Sequence, residues 1–424
     1  MKKLKIVIIS LVVCALALLL LQAIETSNVT TPAAKTAAHV SNTKPIVSPA
    51  LQQLLAVYEQ EIKHLMQLSG IPGVAIAVVQ DSTIVYMKGL GVKTVHDADS
   101  INTHTVFRIA SVSKSFTSFL TGTLVAEGIV NWDDPIVKYA PTFSLQSKNQ
   151  TAQLTVRHVL SHTTGLPYHT YTNLVEEGLS NAELLSKLKD IPLSTPPGQE
   201  YSYQNVVFSV MGETLRGATG KSFEQLMQEK VFSPLQMNDA SIDYHSIMTN
   251  PNIARPHKMR YGKMLPTSIN NTYYNVAPAG GINASIDDMA RWMIALLGNR
   301  EDVIRKEILQ QVYTPEVKAP SKNKNYGRTQ RVSHSYYGLG WRILQYPSDT
   351  LVYHGGYVNG YRSEVALNPS KKIAICVLTN APGIVADRSI PVFFNLLSDM
   401  EKSLPLQSAI NPTAGVKDTA NTLN

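Results

Sequence analysis

Cysteine is nearly absent from this 424-residue chain, occurring only as Cys14 and Cys376. Cys14 lies inside an N-terminal apolar run, so removal of that run would leave one thiol and no intrachain disulfide. Cys376, in the strand-like "KKIAICVLTN", reads as core packing. Charge is sparse as well, at 16% of residues, and there is no arginine-rich tract. Of the net +7, Lys2, Lys3 and Lys5 supply three, leaving +4 (35 basic against 31 acidic residues) for the rest of the chain. Nucleic acid is therefore not an expected partner. The nearest approach to metal-ligand spacing is His158 and His162 in "HVLSH". Val159 stands where the zinc-protease pattern needs glutamate, so the pair reads as structural. The G-x-S-x-G elbow of α/β-hydrolases is missing, and "GGYVNG" lacks the spacing and following helix of a phosphate loop. No internal repeat is visible, and no metal or cofactor is expected.

What is present begins with "MKKLKIVIISLVVCALALLLLQAIE", a basic stretch followed by an unbroken apolar run from Ile6 to Leu21. Residues 1–24 read as an export signal, either a signal peptide or an uncleaved anchor through residues 6–24 with its lysines in the cytoplasm. This places the rest of the protein in a bacterial periplasm or on the outer surface. Residues 25–48, rich in Thr, Ala, Ser and Pro, read as a flexible spacer, residues 49–400 as one folded domain, and residues 401–424 as a disordered tail.

Within the domain, "LQQLLAVYEQEIKHLMQL" has helical spacing of its apolar residues. "GVAIAVVQDSTIVYMKGLGV" reads as two strands about a tight turn at Asp81-Ser82. The segment from about Asn131 to Gln330 is mostly helix and loop. Beyond it, "YYGLGWRILQ", "TLVYHGG", "YRSEVALNP" and "KKIAICVLTN" read as consecutive antiparallel strands, followed by a helix through "SIPVFFNLLSDME". The pattern implies an α+β fold, with one antiparallel sheet flanked by helices and a mostly helical inserted lobe. Clefts form where two such lobes meet.

The pattern S-x-x-K occurs four times, at Ser41, Ser111, Ser186 and Ser321. Ser41 lies in the spacer, Ser186 in a polar amphipathic helix, and Ser321 in a lysine-rich loop. Ser111 follows the strand-like "HTVFRIA" and opens a helix whose body is Phe116, Phe119, Leu120, Leu124 and Val125. A serine there has free backbone N–H groups beside it, and a lysine three residues on shares its helix face. Desolvation of Lys114 would lower its pKa and make it a usable proton acceptor. Taken alone, the segment reads better as a helix cap beside a solvated lysine.

Two further segments bear on that choice. "PGQEYSYQN" places Tyr203 and Asn205 two apart ahead of a helix, and "YHGGYVNG" places His354, Gly355 and Gly356 on a strand edge. A tyrosine beside a lysine can act as a phenolate base, and an asparagine can hold an amide. A glycine-lined edge can offer a bare N–H to a carbonyl oxygen.

In this order and spacing, Ser111/Lys114, Tyr203/Asn205 and His354/Gly355/Gly356 closely resemble the serine β-lactamase and penicillin-binding protein superfamily. The likeness is to its class C β-lactamase, D-peptidase and esterase branch, and it covers roughly residues 50–398. "NWDDPIVKYAP", "TVRHVLSHTTGLP", "APAGGINASIDDMARWM" and "YYGLGWRI" agree with that branch. The resemblance implies that Ser111 forms an acyl-enzyme, with Lys114 and Tyr203 moving its proton. Asn205 would orient the substrate or water, and the N–H groups of Ser111 and Tyr357 would form an oxyanion hole. It further implies that His354 keeps Tyr203 anionic or hydrogen-bonds the substrate. Those β-lactamases usually have lysine and a hydroxyl residue where this chain has His354 and Gly355, which weighs against efficient antibiotic hydrolysis. Arg362, on the next strand, is a weak candidate for the lost carboxylate contact. The expectation is an exported serine hydrolase of amides or esters acting on a small-molecule or peptide substrate. Its rivals are a class C β-lactamase and a non-catalytic penicillin-binding sensor or scaffold.

Overall fold

The computed structural model describes residues 47–320 and 331–410. The expected export segment and nearly all of the spacer lie outside these residues. Among the described residues no helix is long and apolar enough to cross a membrane.

Helix α1 (Pro49–Ser69) starts where the Ser48 hydroxyl accepts the Leu51 N–H, has proline in its first turn, and ends at Gly70 in the left-handed conformation. Its inward stripe is Leu51, Leu54, Leu55, Tyr58, Ile62 and Leu65. The expected hairpin follows as β1 (Gly73–Gln80) and β2 (Thr83–Gly91). The two-residue β3 (Phe107–Arg108) leads through a 3₁₀ turn at Ala110–Val112 into α2 (Ser113–Ala126). The middle of the chain is short helices and loops, including α3 (Val210–Thr219), the hairpin β4 (His257–Arg260) and β5 (Lys263–Pro266), β6 (Asn283–Ala284) and α4 (Ile286–Leu296). The end is strand-rich: β7 (Val317–Lys318), β8 (His334–Tyr337), β9 (Arg342–Gln345), β10 (Thr350–Val358), β11 (Tyr361–Asn368) and β12 (Ile373–Thr379), then α5 (Ile384–Ile410).

Eight strands form one antiparallel sheet in the order β2-β1-β12-β11-β10-β9-β8-β7. The C-terminal meander thus completes the N-terminal hairpin, as the sequence pattern implies. β1 and β12 are buried on both faces, and alternation sorts their side chains into two cores. Ala75, Ala77, Val79, Cys376 and Leu378 face the inserted helical lobe, while Val74, Ile76, Val78, Ile375 and Val377 face α1 and α5.

Two local features differ from the sequence reading. "YYGLGWRILQ" is two strands, because Gly338–Trp341 loops out to meet α2. There Ser115 and Ser118 donate their hydroxyls to the carbonyls of Gly340 and Leu339, at 2.8 and 2.7 Å. Trp341 then stacks on Trp292, which stacks on Phe116 of α2. The second difference corrects the expected tail: α5 continues to Ile410, so residues 401–410 are helical.

The core behind the sheet is separate from the face that carries α2. Phe393, fully buried and edge-on to Tyr58 and Phe394, anchors that rear core. Phe393→Ala is expected to cost about 3–5 kcal/mol in a denaturant titration, while kcat/KM per folded molecule stays within about twofold. A large loss of kcat/KM in the folded fraction would show that the two cores are not independent.

Candidate active site

Ser111 sits in the 3₁₀ turn just before α2, preceded by Ala110 at φ +49°. A non-glycine residue in that region is strained and persists only where its surroundings enforce it. Here β10 enforces it: a Cβ on Gly356 would lie 2.5 Å from the Ile109 carbonyl oxygen and 3.0 Å from the Ala110 side chain. Only a bare strand backbone fits against the turn. Ser111 itself stays partly exposed.

Lys114, one helical turn on, is fully buried. Its Nζ lies 2.8 Å from Asn205 Oδ1, 2.8 Å from the Ala279 carbonyl oxygen and 3.4 Å from Ser111 Oγ. None of these partners is a carboxylate. Burial pushes its pKa well below that of an ordinary lysine. A neutral amine has two N–H bonds and one lone pair. Asn205 and Ala279 accept the two hydrogens, and the lone pair is left for the Ser111 hydroxyl. The Ala279 carbonyl is fixed because its segment docks on α2: Thr117 donates to the Pro278 carbonyl, and the Ile282 N–H bonds Ser113 Oγ.

Tyr203, 8% exposed, lies beside the Ser111 side chain, and burial raises its pKa far above that of a free phenol. Burial disfavours a phenolate there, while the contact with the Ser111 hydroxyl favours one. The strand-like stretch around Tyr203 is clamped from both sides by one loop. His162 supplies its carbonyl to the Ser202 N–H and its Nδ1 to the Gln204 N–H, and the His169 N–H bonds the Tyr203 carbonyl. The His162 ring packs 4.4 Å from the Tyr203 ring. Desolvation keeps His162 neutral.

His354 is only 2% exposed, and both ring nitrogens are taken: Nε2 by the Tyr337 hydroxyl at 3.0 Å, Nδ1 by the Gly355 carbonyl at 3.0 Å. A carbonyl only accepts, so Nδ1 carries the proton and Nε2 accepts from Tyr337. Burial first, and the nearby Arg342 charge as well, hold the ring neutral. His354 therefore neither supplies a cation that would hold Tyr203 anionic nor offers a free nitrogen to substrate. Arg362 is also committed elsewhere, to Glu364 at 2.6 Å and Asp387 at 3.3 Å.

β10 pairs with β9 only over Thr350–Tyr353, so its later residues have a free edge. The turn at Asn359-Gly360, both at positive φ, closes Val358 on Tyr361 as a hydrogen-bonded pair. Alternation makes Tyr357↔Arg362 a non-hydrogen-bonded pair, so the Tyr357 N–H turns to the free edge. The Ser111 N–H, in the first turn of its 3₁₀ segment, has no partner within that turn.

The structure thus gathers Ser111, Lys114, Tyr203, Asn205 and the Gly355–Tyr357 edge into one site. Sequence reasoning missed the Ala279 carbonyl and Tyr337 and read His162 as merely structural. A main-chain acceptor leaves no sequence signal. Tyr337 lies in "YYGLGWRI", already among the segments that agree with the superfamily, but it was assigned no part in the site.

The chain is similar to several known proteins. A model of the beta-lactamase family matches residues 58–391. A beta-lactamase of Escherichia coli strain K12 is 28% identical over 319 residues, covering 75% of this chain and 77% of that protein. The unguisins hydrolase ungD of Aspergillus violaceofuscus is 24% identical over 353 residues, covering 76% of this chain; the match spans 61% of that longer protein. The octameric penicillin-binding protein homologue from Pyrococcus abyssi superposes with a TM-score of 0.71 at 25% identity, covering 83% of this chain and 79% of that one.

The rate at which Ser111 takes a fluorophosphonate is expected to rise with pH through the lowered Lys114 pKa and to level off well below pH 10.5. Lys114→Arg, which stays charged, should slow it by about 10²–10⁴-fold. A wild-type rate still climbing near pH 10.5 would mean that Lys114 titrates as an ordinary lysine.

Proposed function

This chain belongs to the beta-lactamase family, and we propose that it is a serine hydrolase that hydrolyses esters or amides through an acyl-enzyme on Ser111, with small esters or cell-wall-related D-peptides as substrates. Lys114 takes the Ser111 proton as Oγ bonds the carbonyl carbon. The Ser111 and Tyr357 N–H groups receive the developing oxyanion, each worth about 3–4 kcal/mol of barrier. The proton taken by Lys114 is relayed through Tyr203 to the leaving group as its bond to carbon breaks, so that both side chains return to their starting protonation states. Water then repeats the sequence to release the acid. Asn205 holds the Lys114 amine and faces the substrate amide. The single observation that carries this reading is the buried Lys114, whose two hydrogens have non-acidic acceptors and whose remaining position meets Ser111.

β-Lactam hydrolysis is the second reading, favoured by the name of the E. coli relative. The buried neutral His354 weighs against it, since it offers no cation to an antibiotic's carboxylate. Export rests on the basic and apolar N-terminal sequence.

The test is intact-mass spectrometry of the full chain after incubation with a fluorophosphonate and, separately, a penicillin. A single fluorophosphonate adduct that Ser111→Ala abolishes is expected, with no lasting penicillin adduct. A penicillin adduct that forms and decays would favour β-lactamase activity. A wild-type protein that takes neither reagent would overturn the catalytic reading.

A further inference from the structure

The His354 ring is an uncommon use of a histidine in a cleft: it is neutral, enclosed and satisfied at both nitrogens by its own chain. Its acceptor, the Gly355 carbonyl, belongs to the stretch of β10 that β9 leaves unpaired. Gly355↔Glu364 alternates with Gly356↔Ser363 in the same way as Tyr357↔Arg362, so the Gly355 carbonyl and the Tyr357 N–H share the free edge. Two peptide planes there must hold their tilt without a neighbouring strand. The Gly356 approach to the Ser111 turn fixes one face of this stretch. The free edge itself is held at the Gly355 carbonyl by His354, and His354 is held by Tyr337 at the end of β8. Tyr337 is itself fully buried and packs its ring 4.9 Å from that of His162.

Resting on the acyl-transfer reading above, we infer that Tyr337 and His354 are positioning residues that lock the unpaired edge of β10, so that the Tyr357 N–H stands ready for the oxyanion before substrate arrives. The Tyr337 hydroxyl donates to Nε2 and thereby selects the tautomer with a proton on Nδ1. That proton bonds the Gly355 carbonyl. Neither side chain touches substrate, so the pair acts on the chemical step and not on substrate affinity.

The two ring nitrogens can be separated experimentally. The amide nitrogen of asparagine lies as far from Cα as Nδ1 and can still donate to the Gly355 carbonyl. Glutamine places its amide nearer the position of Nε2. The measurement is kcat and KM for p-nitrophenyl acetate in the wild type, His354→Asn, His354→Gln, His354→Leu and Tyr337→Phe, with a melting temperature for each. The expected result is His354→Asn within about fivefold of wild-type kcat. His354→Gln and His354→Leu should fall at least about tenfold, Tyr337→Phe about tenfold, and KM should stay within about twofold throughout. Glutamine working where asparagine fails would overturn the inference, as would full activity in the leucine variant. Losses that simply follow the melting temperatures would reduce the pair to packing and overturn it too. Failure of the parent reading looks different: the wild-type protein itself would then turn over nothing.

Discussion

A lysine amine enclosed on all sides with no carboxylate beside it sets the terms for everything around it. Burial of the charged form is costly, so the surroundings favour the neutral amine. An acidic partner would reverse that preference. The fold supplies instead a carbonyl from Ala279 and an amide oxygen from Asn205, strong enough to orient the amine yet uncharged. Helix α2 pays for this site with polar groups in its interior: Ser113, Ser115, Thr117 and Ser118 are all buried, and each has a main-chain partner on a segment packed against the helix. The polar stripe that looks unsuited to a core helix is the set of ties that brings the Ala279 and Gly340 segments to Lys114.

The sheet divides labour by alternation. One face carries α2 and the helical lobe, and the other carries α1 and α5. β10 stands against the 3₁₀ turn and holds Ala110 in its strained conformation through the bare backbone at Gly356. The position of the nucleophile is thus set by main-chain contact between a turn and a strand, which tolerates less play than side-chain packing.

Much of this was legible in the chain. Period-2 runs marked the hairpin and the meander, and helical spacing marked α1. Ser111, Lys114, Tyr203 and Asn205 were singled out by their combined order and its resemblance to the superfamily, since each short pattern alone reads as structural. For His354, sequence shows an imidazole on a strand edge but not what its two nitrogens meet, and here both are occupied within the fold. The loop between β8 and β9 was read as continuous strand because "YYGLGWRILQ" is apolar and aromatic throughout; the demand of α2 for the Gly340 and Leu339 carbonyls is a tertiary effect. The end of α5 was missed because the apolar period fades after Glu401. Tertiary partners, not local preference, decided each of these cases.

The site draws on residues 110–114, 203–205, 279 and 354–357, pieces separated by up to hundreds of positions in the chain. Bringing pieces so far apart in the chain together costs loop-closure entropy, and none of them alone encloses Lys114. Until the last piece docks, Lys114 is solvated and fully protonated, and Ser111 is an ordinary alcohol. The growing or newly released chain therefore carries no activated nucleophile, and hydrolytic competence arrives only with the completed fold.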